Sequence, residues 1–165
     1  MIRLPRVAAA SAVLATLLVA GCAAKPVLPF IKPEPIPTVV QLELSADAAV
    51  NADRHGRATP IVVRYYLLQN TAAFDSADFF SLFERDDAVL GAAKIVREEA
   101  TLKPGQTLRT ELRPQGEGKF LAVFAAYRDV NTMRWRATAA VPQNKTTAYT
   151  VRIGQTGVAI SPKSP

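Results

Sequence analysis

Two side chains in this 165-residue sequence carry chemistry that no other residue in it duplicates: the single thiol of Cys22 and the single imidazole of His55. A lone cysteine closes no disulfide within the chain and founds no cysteine-cluster metal site. A lone histidine excludes a His-rich metal site. As a general base, His55 needs a nucleophile and an orienting acid. Its surroundings, Asn51-Ala52-Asp53-Arg54-His55-Gly56-Arg57, single out neither by spacing. The plainer reading of His55 is a polar surface residue.

The neighbours of Cys22 assign it a covalent role. Arg3 and Arg6 open the chain, Val7–Ala20 follow without a charge, and Val19-Ala20-Gly21 lead directly into the thiol. The uncharged run is shorter than the ~20 apolar residues of a membrane span and has the length of a signal-peptide core. Small residues before a cysteine, directly after such a core, resemble a bacterial lipobox. That resemblance implies that the thiol takes a diacylglyceryl group, that the chain is cut before Cys22 and that the new amino group is acylated. Residues 1–21 are then a lipoprotein signal peptide. Each buried acyl CH₂ contributes ~0.8 kcal/mol, and more than one chain gives stable anchoring. The mature protein is expected to be moored to a membrane without crossing it. By resemblance to bacterial sorting rules, Ala23 permits transfer to the outer membrane, where Asp would favour retention in the inner one.

Residues 22–37 read as the lipidated cysteine and a tether. Pro26, Pro29, Pro33, Pro35 and Pro37 forbid helix and central strand and favour extended polyproline geometry. At about 3.1 Å per residue, such a segment reaches at most ~45 Å. Apolar residues make up 49% of the chain and charged ones 21%, as in a packed globular protein. Removing residues 1–21 takes away Arg3 and Arg6 and no acid, which lowers the formal net charge from +6 to +4. What is left is scattered, without a basic stripe interleaved with aromatics, so a nucleic-acid partner is not expected.

Residues 38–161 have the pattern of a small all-β domain. Val40, Leu42 and Leu44 alternate with Gln41 and Glu43 in a strand over Thr38–Ser45. Ile61–Leu68 puts Ile61, Val63, Tyr65 and Leu67 on one face and a mixed set on the other, as in a central strand. Ala93–Leu102 and Gln106–Leu112 flank the turn Lys103-Pro104-Gly105. Phe120–Arg128 is apolar on both faces, and Trp135–Val141, Ala148–Ile153 and Gly157–Ser161 follow. About eight strands at this spacing predict two packed sheets. One helix is expected over Ser76–Arg85. Asp75 would be its N-cap, Phe74 and Phe79 a hydrophobic staple, and Phe79, Leu82 and Phe83 its apolar stripe. Trp135 is assigned to the core, with Arg134 and Arg136 on the opposite face. The adjacent acids Asp86-Asp87 and Glu98-Glu99 read as solvated pairs.

The connection Ala46–Pro60 exceeds the typical length of about 4–6 residues, and such loops are usually functional or disordered. Contact with a partner is the favoured role for it.

The order of motifs carries a resemblance. Val50-Asn51-Ala52-Asp53 leads through Gly56-Arg57 to Pro60-Ile61-Val62-Val63-Arg64-Tyr65-Tyr66-Leu67-Leu68. Then come Phe74-Asp75-Ser76-Ala77-Asp78-Phe79-Phe80, Leu102-Lys103-Pro104-Gly105, Ala125-Ala126-Tyr127-Arg128-Asp129 and Arg134-Trp135-Arg136. Together, over about Val39 to Ile160, they resemble the TssJ lipoprotein family of type VI secretion systems. Ala52 departs from the pattern, which has Pro at that place. The resemblance implies a transthyretin-like two-sheet β-sandwich with one or two short added helices, facing the periplasm from the outer membrane. It implies binding to the periplasmic C-terminal part of TssM, and through TssM an indirect link to TssL. The contact would lie on the loop between the first two strands, Ala48–Ala58. Val50 is expected as an apolar anchor, ringed by Asn51, Asp53, Arg54, His55 and Arg57. No cofactor, metal, catalytic residue or small-molecule substrate is implied. Two other readings compete: a different lipoprotein adaptor, such as a pilotin-like chaperone of an outer-membrane channel, and a small periplasmic hydrolase using Ser or Asp with His55.

Overall fold

The computed structural model describes Glu34 and residues 36–163. The expected signal peptide, Cys22 and most of the Pro-rich segment lie outside the described residues. Eight strands form: β1 (Val39–Ala46), β2 (Ile61–Leu68), β3 (Lys94–Leu102), β4 (Thr107–Leu112), β5 (Phe120–Ala125), β6 (Arg136–Ala140), β7 (Thr146–Ile153) and β8 (Val158–Pro162). They make two four-stranded sheets, ordered β4-β1-β7-β8 and β3-β2-β5-β6. Every pairing between strands is antiparallel except that of β1 with β7.

Period-two alternation sets which residues face inward. Val40, Leu42 and Leu44 of β1 meet Val151 and Ile153 of β7, together with Val63, Leu67, Leu121 and Val123 from the other sheet, in one core that is almost closed to water. The other faces of β2 and β5 are apolar as well, and a helical layer covers them. Tyr66, Leu68, Ala122 and Phe124 form a second cluster there with Phe74, Leu82 and Leu90. That is why β5 reads as apolar on both sides.

The helical layer has the two short helices that the family resemblance allows, and it corrects the single span read over Ser76–Arg85. It consists of α1 (Ala72–Ser76) and α2 (Phe79–Leu90). Asp75 lies inside α1, and the N-cap of α2 is Asp78, whose carboxylate accepts from the Ser81 amide at 2.9 Å and the Ser81 hydroxyl at 2.6 Å. The side-chain grammar of a cap is present, one turn later than expected. Ala77, extended at ψ 148°, separates the helices. Phe74 is fully buried edge-on against Tyr66, whereas Phe79 is only half-buried.

Two further expectations are corrected. Arg136 does not point away from Trp135: its guanidinium lies 4.5 Å over the indole ring and donates to the carbonyls of Phe74 and Ala77, both at 2.7 Å. It thus satisfies carbonyls left open where α1 ends. Nor are all the adjacent acids merely solvated. Asp86, 6% exposed, accepts from the Tyr66 hydroxyl and from Arg97 Nε, each at 2.8 Å. Glu99 accepts from Arg64 Nε at 2.6 Å. Arg64 also donates to the carbonyls of Leu82 and Phe83, next to the non-helical residue Arg85 that kinks α2. Burial alone would raise the Asp86 pKa; the hydrogen bonds from Arg97 and Tyr66 outweigh it and hold the carboxyl below its ordinary range. This network rivets α2 to β2 and β3.

Candidate docking site at the loop end

The registers place the connections. Val39 pairs with Thr146 and Val40 with Leu112, so the chain enters β1 at one end of the sandwich. At the other end Ala46 pairs with Ile153 and Ser45 with Thr107. The loop from Ala46 to Ile61 leaves from there. So do the turn after Leu102, the 126–135 connection and the turn after Ile153. Cross-links tie them together: the Gly105 amide donates to the Asp47 carbonyl, Tyr127 Oη donates to the Gly154 carbonyl at 2.8 Å, and Arg134 bridges Gly157. Gly157 has φ +140°, and a Cβ there would lie 2.5 Å from Arg134 Cβ and the Arg134 carbonyl oxygen, so only glycine lets these two segments touch.

Val50, expected as an exposed apolar anchor, is fully buried and belongs to the sandwich core. It fastens the long loop from inside, and its amide bonds the Asp47 carbonyl at 3.1 Å. The surface of the loop is therefore polar. Asn51, in the left-handed region at φ 51°, donates through Nδ2 to Thr59 Oγ1 at 3.1 Å and to the Pro60 carbonyl at 2.9 Å. Its Oδ1 accepts from the Arg128 amide at 2.9 Å. Asp53 organises the tip: Oδ1 accepts from the amides of His55 and Arg57, and Oδ2 from Arg57 Nε at 2.9 Å. The Arg57 amide, helped by its guanidinium, the His55 amide and the nearby charge of Arg128, outweighs desolvation and holds the Asp53 carboxyl below its usual range. Arg54, His55 and Arg57 are exposed, and Arg54 Nε donates to His55 Nε2 at 3.1 Å.

The fold brings together Asn51, Asp53, Arg54, His55 and Arg57, and adds two residues from the β5–β6 connection. Arg128 and Asp129 join Ala52, Asp53, Arg54, His55 and Arg57 around an open cleft of about 570 Å³. Arg128 Nε donates to Thr59 Oγ1 at 3.2 Å. Asp129 accepts from the Thr132 hydroxyl at 2.6 Å, which holds its carboxyl low. The sequence does hold a signal for these two: a polar Arg-Asp pair directly after an apolar strand must sit at a sheet end. Which end follows only from the antiparallel pairing of β5 with β2. Among the described residues, the His55 ring has the Arg54 guanidinium as its hydrogen-bond partner and no hydroxyl nucleophile. Among the described residues no three of His, Cys, Asp and Glu gather as metal ligands would, and no helix is long and apolar enough to cross a membrane.

A rigid two-sheet sandwich with its long polar loop stitched down at one end has the build of a module that presents a surface to another protein. The comparisons with known proteins narrow that class. The model of the T6SS-SciN family (type VI secretion lipoprotein; VasD, EvfM, TssJ) matches residues 38–156, and the chain belongs to that family. It is similar to the T6SS lipoprotein TssJ1 from Pseudomonas aeruginosa, with 30% identity over 78% of this chain and 98% of that one, at a TM-score of 0.75. It is also similar to Serratia marcescens Lip, a membrane-bound component of the type VI secretion system, with 26% identity over 79% of this chain and 100% of that one, TM-score 0.72. A chain in the structure described as the T6SS protein TssM C-terminal domain from EAEC has 25% identity over 76% of this chain and 99% of that one, TM-score 0.60. No curated protein matches the chain significantly.

Proposed function

We propose that this protein is the outer-membrane-anchored lipoprotein of a type VI secretion membrane complex. Acyl chains on Cys22 hold one end in the outer membrane, residues 22–37 serve as the tether, and the sandwich binds the periplasmic C-terminal part of TssM. TssM connects it indirectly to TssL and so to the inner membrane. The role is mechanical and needs no chemical step, cofactor or small-molecule substrate.

The observation that carries the reading is the placement of the two ends of β1. The chain enters β1 at Val39, and the long loop departs at Ala46. An eight-residue strand at about 3.3 Å per residue sets them roughly 23 Å apart. The loop end is thus the end of the sandwich opposite the one at which the chain enters β1. Asn51, Asp53, Arg54, His55 and Arg57 form the surface of that loop, and Val50 supports it from the core. The family match and the likeness to a chain in the TssM C-terminal domain structure support the same partner.

The test is co-purification of TssM from detergent extracts. Replacing residues 53–57, the tip closed by the Asp53 amide on the Arg57 carbonyl, by a Gly-containing turn keeps Val50 in the core and Asn51 on Arg128; it should leave the sandwich folded, because loop length costs little, and should abolish capture of TssM. Cys22→Ser should release the protein from the membrane fraction and stop secretion. Normal capture by the shortened loop, or normal secretion with Cys22→Ser, would falsify the reading.

A further inference from the structure

The geometry points to an acidic segment of the partner as the occupant of the loop-end cleft, held by the guanidinium groups of Arg54 and Arg128. This inference rests on the reading that the loop end is the docking surface, and it adds the chemistry of what docks there.

The charges around the cleft are unevenly spent. Of its acids, Asp53 is engaged by Arg57 and by two loop amides, and Asp129 by the Thr132 hydroxyl and the Asn131 amide. Each accepts inside its own loop and offers little to a cation from outside. The bases differ. Arg57 is paired with Asp53 at 2.8 Å. Arg54 and Arg128 face no carboxylate within 4 Å among the described residues; each uses only its Nε, on His55 and on Thr59 respectively. The remaining N–H groups of both forks are unspent.

Those two forks are also held in place. Arg128 is fixed through its amide by Asn51 and through Nε by Thr59, and Thr59 is itself bonded to the Asn51 carbonyl at 2.6 Å. Arg54 is oriented by the adjacent imidazole. A guanidinium whose Nε is already committed presents its outer N–H pair as a planar donor for a carboxylate, and little side-chain entropy is left to lose on binding. A protein segment is the occupant, because the family match and the likeness to a chain in the TssM C-terminal domain structure point to a protein partner. A segment rich in Asp or Glu matches the unspent N–H groups of both forks. Steering by such a pair acts on encounter and register.

The experiment uses the full acylated chain in detergent and the purified periplasmic domain of TssM as the probe. The wild type should lose affinity roughly tenfold between 50 and 300 mM NaCl, as exposed charge pairs do. Arg54→Glu with Arg128→Glu should weaken binding by about thirtyfold or more at low salt and flatten that dependence, whereas Arg54→Lys with Arg128→Lys, which keeps the charge and loses the planar fork, should weaken it by only about three- to tenfold and keep the salt dependence. The Lys variant also supplies amines. A carbodiimide, which joins a carboxylate to an amine that it touches, should couple Lys side chains at 54 or 128 to Asp or Glu of TssM, as read by mass spectrometry. Circular dichroism of each variant confirms the fold. Unchanged binding by the Glu variant, or coupling of neither position to a TssM acid, overturns the inference. The variant shortened at 53–57, which keeps Val50 in the core, separates the two levels: binding lost there but kept by the Glu variant rejects only the acidic segment, while binding kept in both rejects the docking surface itself.

Discussion

The side-chain oxygen of Asn51 accepts the backbone amide of Arg128 at 2.9 Å across 77 residues of sequence. One amide group thereby joins the β1–β2 loop to the β5–β6 connection, and its nitrogen closes the base of its own loop on Thr59 and Pro60.

Asn51→Ala removes all three bonds and puts a Cβ-bearing residue without a local hydrogen bond at φ 51°. It should lower stability by about 4 kcal/mol, since each of the three net hydrogen bonds contributes about 1 and the left-handed backbone about another 1. Asn51→Gly relieves only the backbone part and should cost about 1 kcal/mol less than Ala. Urea unfolding of the pair separates the two contributions. Both variants should weaken partner capture, because the cleft is no longer held in one shape.

Val50 belongs to the core and should behave as a core residue. Val50→Ala deletes two buried methyl groups and leaves a small cavity at the loop end, for about 2 kcal/mol. The midpoint of urea unfolding should fall with m unchanged. An unaltered midpoint together with lost binding would return Val50 to the surface role that its polar neighbours suggest.

The Asp86 network makes stability depend on acid. Its carboxyl pKa is depressed in the folded state relative to the ordinary 3.8, so the stabilisation is complete above about pH 5 and is lost as pH falls through the folded value. Asp86→Asn should cost about 2 kcal/mol at pH 7, less than the 3–5 of a wholly buried broken pair because Arg97 keeps a third of its side chain exposed. The gap between wild type and variant should narrow below pH 4, as chemical unfolding at pH 7, 5 and 3 will show.

Gly157→Ala forces a Cβ against Arg134. The strained backbone and the displaced neighbour should together cost about 3 kcal/mol. The Val158 amide, bonded to the Arg134 carbonyl at 2.8 Å, should exchange its hydrogen faster, and the shift of the 126–135 connection should reach the cleft.

Much of this fold is legible in residue order, and the places where it is not have physical causes. Strand β2 is read as Ile61–Leu68 and found there, because Pro60 and the polar Gln69-Asn70 bracket a run whose one face is strictly apolar. The helix is misplaced because Asp75 and Asp78 both fit a cap. The choice between them is tertiary: Phe74 must reach Tyr66, and the chain has to turn at Ala77 before α2 can start. Val50 stands among polar residues, so alternation says nothing of it; closure of the sandwich end buries it. Arg64 shows only as a mixed strand face, since its partners Leu82, Phe83 and Glu99 lie on other elements. The long β1–β2 loop is legible through its excess length. The share of Arg128 in the cleft depends on a strand pairing that no local pattern encodes.

One consequence follows from the two ends of β1. If membrane and partner pull against each other, tension enters at Val39, leaves at Ala46 and runs along the axis of this strand. β1 is flanked by β4 on one side and by β7 along its whole length on the other. Its ladders on both sides are then strained in shear, all bonds together, whereas an outermost strand such as β8 drawn from Lys163 would peel open one bond after another. The chain thus places in the line of pull a strand that cannot be unzipped from an edge, and the sandwich should rupture at a higher force when drawn between Val39 and His55 than when drawn by its two termini.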